Sequence, residues 1–226
     1  ENAGATWQNH TNLGDADLIS ADSYENSMAV MSSEGIIYMK DGFESEWITI
    51  DSSQTGMKSI ALTGGQSLVV VGTEGAIWQY TAQTWWNRTT SFTENLHDVD
   101  FNGEEDGLAV GNAGTILATD DGGATWDYRE SPDPDCSIVS ISYFNPYRMF
   151  AVSDSGQILY STSPGGFEWQ LREIESAGYN TTLATNLSSI DVVSSSRILF
   201  TGPNGYLGLS LDQGLNVEIN ILPAGV

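Results

Sequence analysis

Tryptophan recurs with one period along this chain. Trp7, Trp47, Trp86, Trp126 and Trp169 are spaced by 40, 39, 40 and 43 residues. A second marker runs in phase, a glycine followed by apolar residues: Gly35-Ile36-Ile37, Gly75-Ala76-Ile77, Gly114-Thr115-Ile116, Gly156-Gln157-Ile158 and Gly205-Tyr206-Leu207. A short apolar run precedes each, from Met28, Leu68, Leu108, Met149 and Ile198. In the clearest unit, Leu96 to Phe101 alternates as a first strand and Gly107 to Gly111 is a second. Asn112-Ala113-Gly114 is a tight turn, Thr115 to Thr119 a third strand and Trp126 to Glu130 a fourth. Runs this short, punctuated by Gly, Asn and Asp, are not helices, which sets aside the helical solenoids that share this period. One four-stranded unit cannot bury both its faces, whereas radially arranged units bury them against each other. The expected fold is therefore an all-β propeller of about five four-stranded blades. The units run approximately over 13–50, 51–90, 91–130, 131–174 and 175–222, in a single domain.

A spare strand at 5–11 precedes the first unit, and the last unit has Val217 where a tryptophan would fall. Open sheet edges invite association. The spare strand is expected to close the ring by joining the last blade. The alternative is exchange with a neighbouring molecule, giving a homo-oligomer or polymer through terminal strands.

Charge sets the function classes. Thirty acids against seven bases give a formal charge of −23. Such a surface repels phosphate backbones and anionic lipid, which argues against nucleic-acid partners, and no apolar run is long enough to span a bilayer. Self-repulsion is relieved by salt, so the composition fits a high-salt habitat or an ordinary acidic secreted protein. The chain starts at Glu1 with no basic leader, which reads as a processed form or a segment. Asn9, Asn87, Asn180 and Asn186 head glycosylation sequons, which permit an extracellular or cell-surface location without establishing one.

Candidate chemistry is sparse. Cys136 is alone, so no intrachain disulfide forms, and it has no basic neighbour to activate it. The histidines are His10 and His97, the latter beside Asp98. Acidic loops at 15–17, 102–106 and 133–135 offer oxygen ligands but lack the spacing of a calcium loop. No catalytic set, cofactor motif or metal motif is apparent.

Thr119-Asp120-Asp121-Gly122-Gly123-Ala124-Thr125-Trp126 resembles an Asp-box, the Ser/Thr-x-Asp-x-Gly-x-Thr-Trp turn of sialidase-type propellers. Ser210, Asp212 and Gly214 belong to a decayed copy, Ser161 to Trp169 is a lengthened one with Ser163 in place of Asp, and Gly4 to Trp7 looks like the back half of another. Within the box, Asp and Thr side chains accept bonds from turn amides, Gly takes a left-handed conformation and Trp packs between blades. Thr119, Asp121, Gly123, Thr125 and Trp126 are accordingly read as fold elements. The wider segment from Gly107 to Trp126 looks most like the photosystem II assembly and stability factor propellers. That resemblance implies an assembly factor for a membrane protein complex, usually seven-bladed and with a basic binding patch, for which seven bases supply little material.

The sialidase resemblance implies three converging arginines. Arg88, Arg129 and Arg172 instead follow their repeat tryptophans on outermost strands, while Arg148 and Arg197 open second strands. Abundant acid pairs such as Glu104-Glu105 leave a glycosidase-like carboxylate pair open by counting alone. The leading reading is a non-catalytic surface propeller for binding, adhesion or scaffolding, with a protein or glycan partner. The alternatives are the assembly factor, a carbohydrate-active protein using Trp78, Trp85, Tyr143 or Tyr147, and a strand-exchanged polymer.

Overall fold

A computed structural model describes residues 17–42, 45–51, 54–172, 175–176, 186–194, 196–204, 206–211 and 216–221. The first sheet comprises β1 (Leu18–Tyr24), β2 (Ser27–Ser32), β3 (Ile36–Asp41) and β4 (Ile48–Asp51). The second comprises β5 (Met57–Gly64), β6 (Ser67–Gly72), β7 (Ile77–Thr81) and β8 (Thr84–Asn87). The third comprises β9 (Leu96–Asn102), β10 (Asp106–Gly111), β11 (Ile116–Thr119) and β12 (Asp127–Arg129). The fourth comprises β13 (Ile138–Asn145), β14 (Arg148–Ser153), β15 (Ile158–Ser161) and β16 (Gln170–Arg172). Then come β17 (Glu175–Ser176), β18 (Ser189–Val192), β19 (Ile198–Thr201), β20 (Tyr206–Ser210) and β21 (Asn216–Ile221). Each sheet is an antiparallel meander, except that β17 adds to the last one by pairing parallel with β21.

First strands lie innermost. β1 packs on β5, β5 on β9, β9 on β13 and β13 on β18, so the five sheets succeed one another as blades of an all-β propeller. Four apolar clusters lie between successive blades. Met31, Ile37 and Met39 meet Ile60, Leu62 and Val70; Val69 and Ile77 meet Val99 and Trp126; Leu108 and Ile116 meet Ile138 and Trp169; Phe150 and Ile158 meet Ile190 and Phe200. The second strands of the middle blades are apolar on both faces because both faces are covered. Leu68, Val69, Val70 and Val71 are all fully buried, as are Leu108, Ala109 and Val110.

The spare strand expected at 5–11, with Trp7, lies outside the described residues. Within them, the strand that extends the last blade beyond β21 is β17, from the 175–176 segment. The repeat tryptophans do not all pack alike. Trp126 and Trp169 are buried just before β12 and β16, but Trp86 in β8 is 48% exposed. Its neighbour Trp85 packs inward instead, 5.2 Å from Tyr80. Successive strand residues point to opposite faces, so one position decides which ring is covered.

Candidate functional site

The Asp-box at 119–126 closes on itself. The Asp121 carboxylate accepts the Thr125 amide (2.8 Å), the Thr125 hydroxyl (2.7 Å) and the Thr119 hydroxyl (2.8 Å). Thr119 Oγ1 in turn accepts the Gly123 amide at 3.0 Å. Burial works against ionisation of Asp121, but these donors outweigh it and hold the carboxyl below its ordinary value. Gly122 and Gly123 have φ of 70° and 87°. Trp126 Nε1 donates to Gly123 O at 3.1 Å. Both Asp121 oxygens are thus engaged within the turn. In blade 4, Ser163 Oγ takes the place of the aspartate and accepts the Glu168 amide at 2.7 Å. In the decayed copy Ser210 is fully buried, while Asp212 and Gly214 lie outside the described residues.

Beside that blade 4 turn lies a groove of about 560 Å3, lined by Glu130, Ser131, Pro132, Pro134, Phe167, Glu168, Trp169 and Gln170. It sits between the β12–β13 and β15–β16 connections. Phe167 is 68% exposed, and the Arg129 guanidinium lies 5.5 Å from its ring centre. Glu130 and Glu168 are exposed. The groove thus joins an apolar ring and prolines to carboxylates, a surface suited to an extended segment carrying basic and apolar side chains.

The inner strands hold half-buried acids that sequence reasoning passed over. Asp98 Oδ2 accepts the Ile141 amide (3.0 Å) and the Ser140 hydroxyl (2.9 Å), and its Oδ1 accepts the Ser59 hydroxyl at 2.8 Å. Asp100 Oδ2 accepts the Tyr143 amide at 2.8 Å. Burial pushes Asp98 above the usual carboxylate range despite those donors. Burial, with Asp22 and Asp98 adding their charges, pushes Asp100 up to about 7. Asp22 in β1 is raised as well, chiefly by burial, and its Oδ2 accepts the Leu62 amide at 2.7 Å. One sequence signal would have found this ladder. It is Ser or Asp at alternate positions of the first strand: Ser20-x-Asp22, Asp98-x-Asp100, Ser140-x-Ser142 and Ser189-x-Asp191.

The remaining candidates disperse. His97 Nε2 bonds Asn112 Oδ1 at 2.5 Å, and no cluster of metal-ligating side chains occurs among the described residues. Cys136 is buried, and burial with Asp133 and Asp154 pushes its thiol up to about 11. Arg88, Arg129 and Arg172 lie on or next to outer strands over Trp86, Phe167 and Tyr160, three separate rings. Of the proposed sugar-stacking aromatics, Trp78, Trp85 and Tyr143 pack against inter-blade clusters, while Tyr147 is 63% exposed. Asn87 and Asn186 are exposed; Asn9, Asn180 and His10 lie outside the described residues.

This architecture defines an all-β, BNR-like propeller. Residues 77–175 match the family model described as photosynthesis system II assembly factor YCF48, so this stretch of the propeller is similar to that factor. A structure of YCF48 bound to D1 peptide superposes with a TM-score of 0.66 at 15% identity, over 96% of this chain and 71% of that one. YCF48 from Cyanidioschyzon merolae gives 0.58 at 14% identity, over 96% and 88%. PorZ, an essential bacterial surface component of the type-IX secretion system of Porphyromonas gingivalis, gives 0.67 at 16% identity. The chain covers 29% of PorZ, with 95% of its own length matched. No curated protein matches the chain.

Proposed function

We propose that this chain is a non-catalytic, protein-binding propeller that holds an extended segment of a client, in the manner of an assembly factor for a membrane protein complex. The carrying observation is the Phe167 groove, which lies within the residues that match the assembly-factor model. A YCF48 structure with a bound peptide supports a peptide client. The rim carboxylates of Glu130 and Glu168 would select basic segments, unlike a basic patch, which selects acidic ones.

Titration calorimetry with matched peptides, one rich in Lys, Arg and Leu and one with Glu in place of the bases, tests this. The basic peptide should bind, and Phe167→Ala should weaken it about tenfold, or 1.4 kcal/mol. Equal binding of both peptides, or indifference to Phe167→Ala, would sink the reading.

A surface-adhesion role is the second reading. It is favoured by the charge of −23 and by the likeness to a bacterial surface component. Surface labelling of intact cells, with a cytosolic marker as control, decides the location: a chain labelled no more than the marker rejects it.

A further inference from the structure

The turn between third and fourth strands differs between blades 3 and 4. In blade 3 the Asp121 carboxylate fills the turn, bonded to Thr119 and Thr125. In blade 4 the shorter Ser163 stands there, and its Oγ accepts the Glu168 amide at 2.7 Å. Beside it lies a cleft of about 20 Å3, lined by Tyr160, Thr162, Ser163, Glu168 and Gln170. Glu168 and Gln170 line both this cleft and the Phe167 groove, so the two adjoin.

The cleft is rich in oxygen. Tyr160 Oη donates its proton to Gln170 Oε1 at 2.6 Å, which leaves the lone pairs of the phenol oxygen to accept. Thr162 and Ser163 add hydroxyls, and Glu168 adds a carboxylate. Thr162 and Glu168 are exposed, so a group arriving from solvent can reach them. A space of this volume admits about one water-sized group held by a few polar partners. An ammonium is of that size, carries a full charge and donates in three directions. A guanidinium is a larger, planar fork and does not enter such a space. Arg172 stands 4.0 Å from the Tyr160 ring centre but does not line the cleft, where the formal charge is that of Glu168.

We infer that this cleft receives the ammonium of a client lysine, so that a segment held in the adjoining groove is selected for lysine over arginine. The inference rests on the peptide-binding reading of the Phe167 groove and adds the identity of the base. The apolar part of the segment lies on Phe167 and the prolines, and a lysine stem reaches across the shared wall of Glu168 and Gln170.

Titration calorimetry with two peptides identical but for their bases, one of Lys and Leu and one of Arg and Leu, tests this. Wild type should bind the Lys peptide about tenfold tighter, against the usual advantage of arginine at carboxylates. The double variant Thr162→Val/Tyr160→Phe removes two oxygens from the cleft and leaves Phe167 and Glu168 in place. It should weaken the Lys peptide about tenfold and leave the affinity for the Arg peptide unchanged, a split that general loss of fold would not give. Circular dichroism checks its fold separately, and the wild-type comparison stands without it. Equal binding of the two peptides by wild type, or tighter binding of the Arg peptide, overturns the lysine inference and leaves the groove reading standing. So does a lysine preference that the folded double variant retains. Binding of neither peptide removes the groove reading, and this inference with it.

Discussion

Asp100 is a half-buried carboxyl whose charge water solvates poorly. Its two oxygens accept the Phe101 and Tyr143 amides, yet burial beside Asp22 and Asp98 keeps its folded value at about 7. The unfolded chain releases this proton near pH 4, so between there and about 7 the native state binds more protons than the unfolded one. Stability from this group is therefore full in acid and falls as pH rises, by up to on the order of 4 kcal/mol. Asp100→Asn keeps the acceptor for the Tyr143 amide and removes the charge. Its urea midpoint should exceed that of wild type at pH 8 and approach it near pH 4. A variant less stable than wild type at pH 8 contradicts this account. The alternation of Leu96 to Phe101 was legible in the sequence, but the burial of these acids was not. An aspartate at a strand position reads as solvent-facing until the neighbouring blade and its amides are placed.

At the scale of the element, the Asp-box turn was readable residue by residue, because its hydrogen bonds run between positions at most four apart. Asp121→Ala removes the acceptor for Thr125 and Thr119 and should cost about 1–2 kcal/mol. Gly123→Ala should cost more, about 2–4 kcal/mol, because a Cβ there would lie 2.7 Å from Val69 of the previous blade at a φ of 87°. Gly165→Ala, at a φ of 61° with nothing within 4 Å, should cost only about 1 kcal/mol. Thermal unfolding of the three variants gives the order directly, and a Gly123→Ala protein as stable as Gly165→Ala would show that the turn does not clamp two blades. The tryptophan period marked where the blades fall but not which ring packs. The period lands on Trp86, and the pleat hands the covered position to Trp85.

For the whole molecule, seven bases cannot neutralise thirty acids. The ion pair seen among the described residues, Arg129 with Asp127 at 3.9 Å, joins a half-buried arginine to an exposed carboxylate at long range and adds little. Repulsion should therefore dominate the response to salt. Raising salt from about 0.01 to 1 M should lift the melting temperature by several degrees, and a fall would show that surface ion pairs outweigh repulsion. The sequence by itself determined the strand succession, the five-fold repeat and the chemistry of the turns. Each of these is written in contacts between residues a few positions apart or in a period of alternation. Only the tertiary structure decided which acids are drawn into the blade interfaces and which tryptophans are covered. Every strand here offers two faces, and whether a face is core or surface depends on a blade some forty residues away.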